Sequence, residues 1–223
     1  MKLNFPVIII NFKTYAESVG KRAEELAEIC ERVHLATQKN IAIAVSAADI
    51  YRISQKVSIP VLSQHLDPDE YGSHTGHIIA ENIKESGAIG TLLNHSEDRY
   101  RIDKLEAAIV RAKQTGLVSV VCANNDELAK AVAAFSPDFI AVEPPELIGG
   151  NISVSTAKPE IITKTIEKVH KIADIPVLCG AGVKTKEDVK KAMELGAAGI
   201  LLASGITLAK DPEAVLRELV SAL

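Results

Sequence analysis

Eight short aliphatic runs, each followed by an amphipathic stretch, constrain the fold of this 223-residue chain more than any other feature. The runs are Val7–Phe12, Ile41–Val45, Val61–Ser63, Ile89–Leu93, Leu117–Cys122, Phe139–Val142, Val177–Cys179 and Gly199–Leu202. A strand with one wet face alternates polar and apolar residues, whereas a strand buried on both faces reads as an unbroken aliphatic run. Between the runs lie helical patterns. In Ala16–Leu35, for example, Ala23, Leu26, Ala27, Cys30 and Val33 fall on one stripe. Glycine or proline marks the approach to many of the runs, at Pro6, Pro60, Gly87, Gly116, Pro137, Pro176 and Gly196. Strands that alternate with helices pair in parallel through helical crossovers. Eight such units predict an α/β fold, a single (β/α)8 barrel over residues 1–223, although an open doubly wound sheet would leave a similar string. The length suits one barrel, if a short one.

Composition narrows the class of partner. Hydrophobic residues make up 47% of the chain but aromatics only 4%, with no Trp, so the core is built from Val, Ile, Leu and Ala. The net charge is −4 and no basic run occurs, which argues against nucleic acid or an anionic membrane as partner. An anionic small molecule stays open, because charges more than ~8 Å apart are largely screened and local groups decide what a cleft holds. No apolar run approaches the ~20 residues of a membrane span, and Met1–Pro6 lacks the layout of a signal peptide. Cys30, Cys122 and Cys179 cannot all pair within one chain and have no metal-site spacing, so a reducing, cytoplasmic setting is expected.

In a barrel of this kind chemistry gathers where the βα-loops meet, at the C-terminal strand ends. Glu143 stands directly after Phe139–Val142. A lone Glu there is ordinarily a solvated or helix-opening acid. Here Pro144-Pro145 stiffens the next step, Leu147 and Ile148 form an apolar tip, and Gly149-Gly150 frees the far end, which together describe a lid beside a carboxylate. Closing such a lid would strip water from Glu143 and suit it to general-base work. His95 ends the fourth run, and Ser96-Glu97 could open a helix whose N-terminus keeps the ring neutral and able to donate to a substrate oxygen. His65, His74 and His77 invite a metal reading, but their spacing fits no zinc pattern. Asn11 and Lys13 lie two residues apart, so in a strand they point to one face, where they offer an amide and a cation. Gly180-Ala181-Gly182 and Ala203-Ser204-Gly205 follow the last two runs, where barrels often bind phosphate on bare backbone N–H groups.

Taken together these residues resemble the triosephosphate isomerase family along nearly the whole chain. Asn11-Phe12-Lys13 matches the family's Asn-x-Lys, and Asn94-His95-Ser96-Glu97 is similar to its Gly-His-Ser-Glu with Asn for Gly. Gly72-Ser73-His74-Thr75-Gly76 is similar to its interface loop, and Val142-Glu143-Pro144 to the motif of its base. The resemblance implies a TIM barrel and an intramolecular aldose–ketose isomerase of glycolysis and gluconeogenesis. It would interconvert dihydroxyacetone phosphate and D-glyceraldehyde 3-phosphate through an enediolate, without cofactor or metal. It implies Glu143 as base, His95 as donor to the enediolate oxygens, Lys13 for the negative charge, Asn11 as substrate holder and Glu97 as support for Lys13. Ile148, Gly149, Gly182, Ala203, Ser204 and Gly205 would cradle the phosphate, and Thr75 would reach toward another subunit's site. The lid tip lacks the family's usual Trp and the chain is short. Both features resemble the compact archaeal branch, whose members tend to be homotetramers.

Other phosphate-binding barrels fit less well. A Schiff-base aldolase needs a reactive Lys at an inner strand end, where this chain has Glu143. A metal-dependent epimerase needs His and Asp ligands on several strand ends. A non-catalytic phosphate binder would have no use for Glu143, His95 and Lys13 together.

Overall fold

The computed structural model describes residues 3–144, 155 and 158–223. Its eight strands are β1 (Val7–Asn11), β2 (Asn40–Val45), β3 (Val61–Ser63), β4 (Gly90–Leu93), β5 (Val118–Ala123), β6 (Phe139–Val142), β7 (Val177–Gly180) and β8 (Gly199–Leu202). All pair in parallel in sequence order, and β8 returns to β1 to close the barrel. This decides against the open sheet that the sequence had left possible. Closure brings Val7 opposite Gly199, where an added Cβ would stand 2.2 Å from the Val7 carbonyl oxygen. Glycine is required there for close approach of the two backbones.

Around the strands run α1 (Lys21–Thr37), α2 (Ile50–Ser54), α3 (Ala80–Glu85), α4 (Ile102–Thr115), α5 (Asp126–Ala133), α6 (Pro159–His170), α7 (Lys186–Glu194), α8 (Ser204–Thr207) and α9 (Pro212–Val220). Local chemistry starts several of them. The Asn125 side chain accepts from the Leu128 N–H at 2.8 Å, and Thr185 with Asp188 forms a capping box. α1 buries the expected stripe but does not begin at Ala16. Residues 16–20 form a turn instead: Gly20 takes φ 60°, its N–H donates to Asp49 Oδ2 at 3.0 Å, and the Ser18 hydroxyl donates to the Phe12 carbonyl. Those tertiary hydrogen bonds hold the segment out of a helix that its composition alone allowed.

Two packed layers result from strand alternation. Val7, Ile9, Ala42, Ala44, Leu62, Leu92, Val120, Ala141, Leu178 and Leu201 fill the inside of the barrel. Ile8, Ile10, Ile41, Ile43, Val121, Ile140 and Ile200 face outward against the helices. Both strand faces are therefore buried, as the unbroken aliphatic runs require. Among the described residues no helix is long and apolar enough to cross a membrane.

Candidate active site

The inward alternation carries on past the aliphatic residues and delivers polar ones to the mouth. On the inner face Ile9 is followed by Asn11, Leu62 by Gln64, Val120 by Cys122, Ala141 by Glu143 and Leu178 by Gly180. The β6–β7 register pairs Val142 with Cys179, so Glu143 stands beside Gly180. A Cβ on residue 180 would meet Glu143 Cγ at 2.4 Å and Oε1 at 3.0 Å. Gly180 thus has a further reason to be glycine: its missing side chain is the space that Glu143 occupies.

Glu143 is only 6% exposed. Its N–H donates to the Ala123 carbonyl at 2.8 Å, which ties the residue to the end of β5. Among the described residues Oε2 is buried without a hydrogen-bond partner, so nothing there competes for a proton brought to it. Cys122 adjoins the carboxylate. Burial first, and then the Glu143 charge, holds that thiol well above its ordinary range, so it stays protonated.

His95 Nε2 lies 3.8 Å from Glu143 Oε2, too far for a direct hydrogen bond, and both residues line the same cavity. The ring's other nitrogen is fixed by the backbone: the Glu97 N–H donates to Nδ1 at 3.2 Å. Nδ1 must then accept, which leaves the proton of the neutral ring on Nε2, facing the cavity. The expected helix at Ser96-Glu97 is not formed. Residues 96–97 make a turn, closed by the Asp98 N–H donating to the His95 carbonyl at 2.9 Å, and α4 starts at Ile102. Orientation of the imidazole comes from one aimed amide rather than from a helix terminus. Asn94 explains its own departure from the motif's Gly. It sits at φ 59°, where Gly and Asn are the favoured residues, and its side chain donates to the Cys122 carbonyl at 2.9 Å and accepts from the Tyr100 N–H at 3.1 Å.

Lys13 also departs from the reading made of it. β1 ends at Asn11, and Lys13 sits beyond it at φ 51°, so strand alternation does not orient it. The Asn11 side chain does, by accepting from the Lys13 N–H at 3.0 Å. Gln64 supports both: its Nε2 donates to the Lys13 carbonyl at 3.0 Å and lies 3.3 Å from Asn11 Oδ1. Gln64 follows the third aliphatic run and had no role assigned from sequence, although the Leu62, Gln64 alternation aims it inward. Lys13 Nζ pairs with Glu97 Oε1 at 2.5 Å, and its side chain is 11% exposed against 57% for Glu97.

A cavity joins these groups to the last two loops. Asn11, Lys13, His95, Glu143, Gly182, Ala203, Ser204 and Gly205 line it, together with Tyr15, Val183 and Lys184, which had not been singled out. Ser204 and Gly205 open α8, where the first N–H groups have no carbonyl one turn back to bond. Glu97 borders the adjoining cleft with Gln64 and His65. Thr75 lies on the exposed part of the β3–α3 loop. Ile148 and Gly149, with the rest of the expected lid beyond Pro144, lie outside the described residues.

Comparison with known proteins agrees with this arrangement. The family model described as triosephosphate isomerase matches residues 6–222. The triosephosphate isomerase of Methanobacterium bryantii is 52% identical, over 97% of this chain and 96% of its own. That of Methanocaldococcus jannaschii is 51% identical, over 96% of this chain and 98% of its own. A crystal structure of triosephosphate isomerase from Bartonella henselae superposes with a TM-score of 0.74 at 21% identity, covering 95% of this chain and 97% of that one, which supports the fold.

Proposed function

This chain belongs to the triosephosphate isomerase family, and from that premise we propose that Glu143, His95 and Lys13 carry the reaction in it. The family interconverts dihydroxyacetone phosphate and glyceraldehyde 3-phosphate, and this chain is an isomerase of those triose phosphates. The observation that carries the residue assignment is Glu143 Oε2, buried and without a hydrogen-bond partner among the described residues, across from His95 Nε2 within one cavity with Lys13.

On this reading the substrate lies in the cavity against both Glu143 and His95. Glu143 takes the proton from the carbon beside the carbonyl, and the electron pair moves onto the carbonyl oxygen to give an enediolate. Glu143, now protonated, returns the proton to the neighbouring carbon, while the hydroxyl proton of the first carbon passes to the former carbonyl oxygen, so that the carbonyl moves along the chain. His95 donates from Nε2 to whichever oxygen carries the charge, a use that the Glu97 amide on Nδ1 supports. Lys13 supplies a fixed positive charge where the enediolate forms, and Asn11 holds both Lys13 and the substrate. Backbone N–H groups at Gly182, Ala203, Ser204 and Gly205 bind the phosphate, joined by Ile148 and Gly149 from the lid. Anchoring the phosphate spends remote binding energy on orienting the carbon that reacts. We place the enzyme in the cytoplasm as a homo-oligomer, with a tetramer as the expected state. Its buried free thiols suit a reducing compartment.

Glu143→Asp tests the assignment. The shorter side chain withdraws the carboxylate by about 1 Å, a displacement that can cost on the order of 100-fold in rate. The expected result is a loss of that size in kcat with KM little changed, read in a coupled assay on glyceraldehyde 3-phosphate. A kcat near wild type would move the base elsewhere.

A further inference from the structure

The β3–α3 loop folds three potential metal donors onto one point outside the cavity. Asp69 Oδ2 lies 2.6 Å from His77 Nδ1, and Asp69 Oδ1 lies 3.6 Å from His74 Nδ1. All three donor atoms fall within 4.8 Å of one another. The spacing is made by a tight turn: the His77 N–H donates to the His74 carbonyl at 3.0 Å, and Gly76 between them takes φ 91°. That turn stacks the two imidazoles at 5.7 Å between centroids and 27° between planes, both Nδ1 atoms toward Asp69. Reading the histidines by spacing alone found no pattern, because the third donor precedes them by several residues and only the fold brings it in.

We propose that Asp69, His74 and His77 form a binding site for a borderline divalent cation such as Zn²⁺. Two imidazoles and one carboxylate are a donor set that zinc accepts at about 2.0–2.2 Å per bond. Tetrahedral ligand atoms at that radius stand roughly 3.3 Å apart, so shifts well under the present 4.8 Å span complete the geometry. The Asp69–His77 hydrogen bond opens as the metal enters and His77 Nδ1 gives up its proton, to Nε2 of the same ring or to solvent. Water completes the coordination. The electrostatics favour an ion here: among the described residues Asp69 forms ion pairs only with these two histidines, which carry no charge when neutral. The three cysteines are buried and do not compete for the metal.

Calorimetric titration of the EDTA-dialysed protein with ZnCl₂ tests this without reference to activity. One saturable site per chain is expected, and uptake weakens on acidification because ligation needs unprotonated imidazole. His74→Ala with His77→Ala should weaken that site by at least about tenfold, while His95→Gln keeps it. X-ray absorption on the zinc-loaded wild type gives a reading that needs no variant, with two imidazoles expected in the first coordination sphere. The proposal fails if the wild type shows no saturable uptake, if the folded double variant titrates like it, or if the absorption spectrum shows no imidazole ligation.

Discussion

Glu143 owes its position to an atom that is missing. Gly180 leaves the gap that the carboxylate fills, and Ala at 180 would place a methyl 2.4 Å from Glu143 Cγ. Backbone pairing through β7 gives that methyl little room to yield, so the carboxylate must move instead. The expected outcome for Gly180→Ala is a folded protein with kcat lowered on the order of 100-fold, the same scale as a 1 Å displacement of the proposed base. Circular dichroism and steady-state kinetics check it together; an unchanged kcat would mean that Glu143 tolerates the intrusion. Two residues at the barrel mouth with positive φ obey a similar economy of local contacts. Lys13 at φ 51° and Asn94 at φ 59° are held there by side-chain hydrogen bonds at Asn11 and Asn94. Such backbone strain costs about 1–3 kcal/mol and persists only where neighbours over-determine it.

Among the elements, the β3–α3 connection stands apart. Its base is fastened: the Asp67 carboxylate accepts from the Ile78 N–H at 2.7 Å, the Leu66 carbonyl accepts from the Tyr100 hydroxyl at 2.6 Å, and Glu70 faces Arg111 of α4 at 3.7 Å. The expectation of a loop with no partner in its own barrel is therefore right only for its tip, residues 71–77, which is exposed and carries Tyr71 at 74% exposure. A fastened base with a projecting aromatic tip suits docking on another subunit. Deleting Asp69–Ser73 should lower the particle mass measured by light scattering and reduce activity with it. A deletion variant that keeps the wild-type mass would assign assembly to another surface.

For the molecule as a whole, the barrel interior is thin in aromatics and depends on interlocked aliphatic layers. Leu92 is fully buried inside it, between strands that pair on both sides. Leu92→Ala should cost about 2–5 kcal/mol, since a closed barrel cannot collapse around the void. Urea melts of wild type and variant at matched protein concentration measure this, and a shift under 1 kcal/mol would show that the layers repack. Burial also sets thiol chemistry throughout the fold. It pushes Cys30 up to about 12 and raises Cys179 further, leaving both protonated and inert.

How much the sequence determined divides along a physical line. Strand number and strand limits were legible to within a residue, because burial on both faces demands aliphatic runs. The α1 stripe was legible for the same reason. Asn11, Lys13, His95, Glu143 and the last two loops were legible because strand ends in such a barrel converge on one mouth. What makes those residues a site was decided by tertiary structure. Closure rather than an open sheet depends on β8 meeting β1 across nearly the whole chain. The turn after His95, the orientation of Lys13 and the start of α1 depend on single hydrogen bonds in which Asp98 and Ser18 donate and Asn11 and Asp49 accept. Gly180 reads in sequence as backbone freedom and in the fold as room for Glu143. Periodicity follows from the solvent a whole element meets and is written along the chain. Contacts between partners far apart in sequence, or between one amide and one ring, leave no period, and only the folded register fixes them.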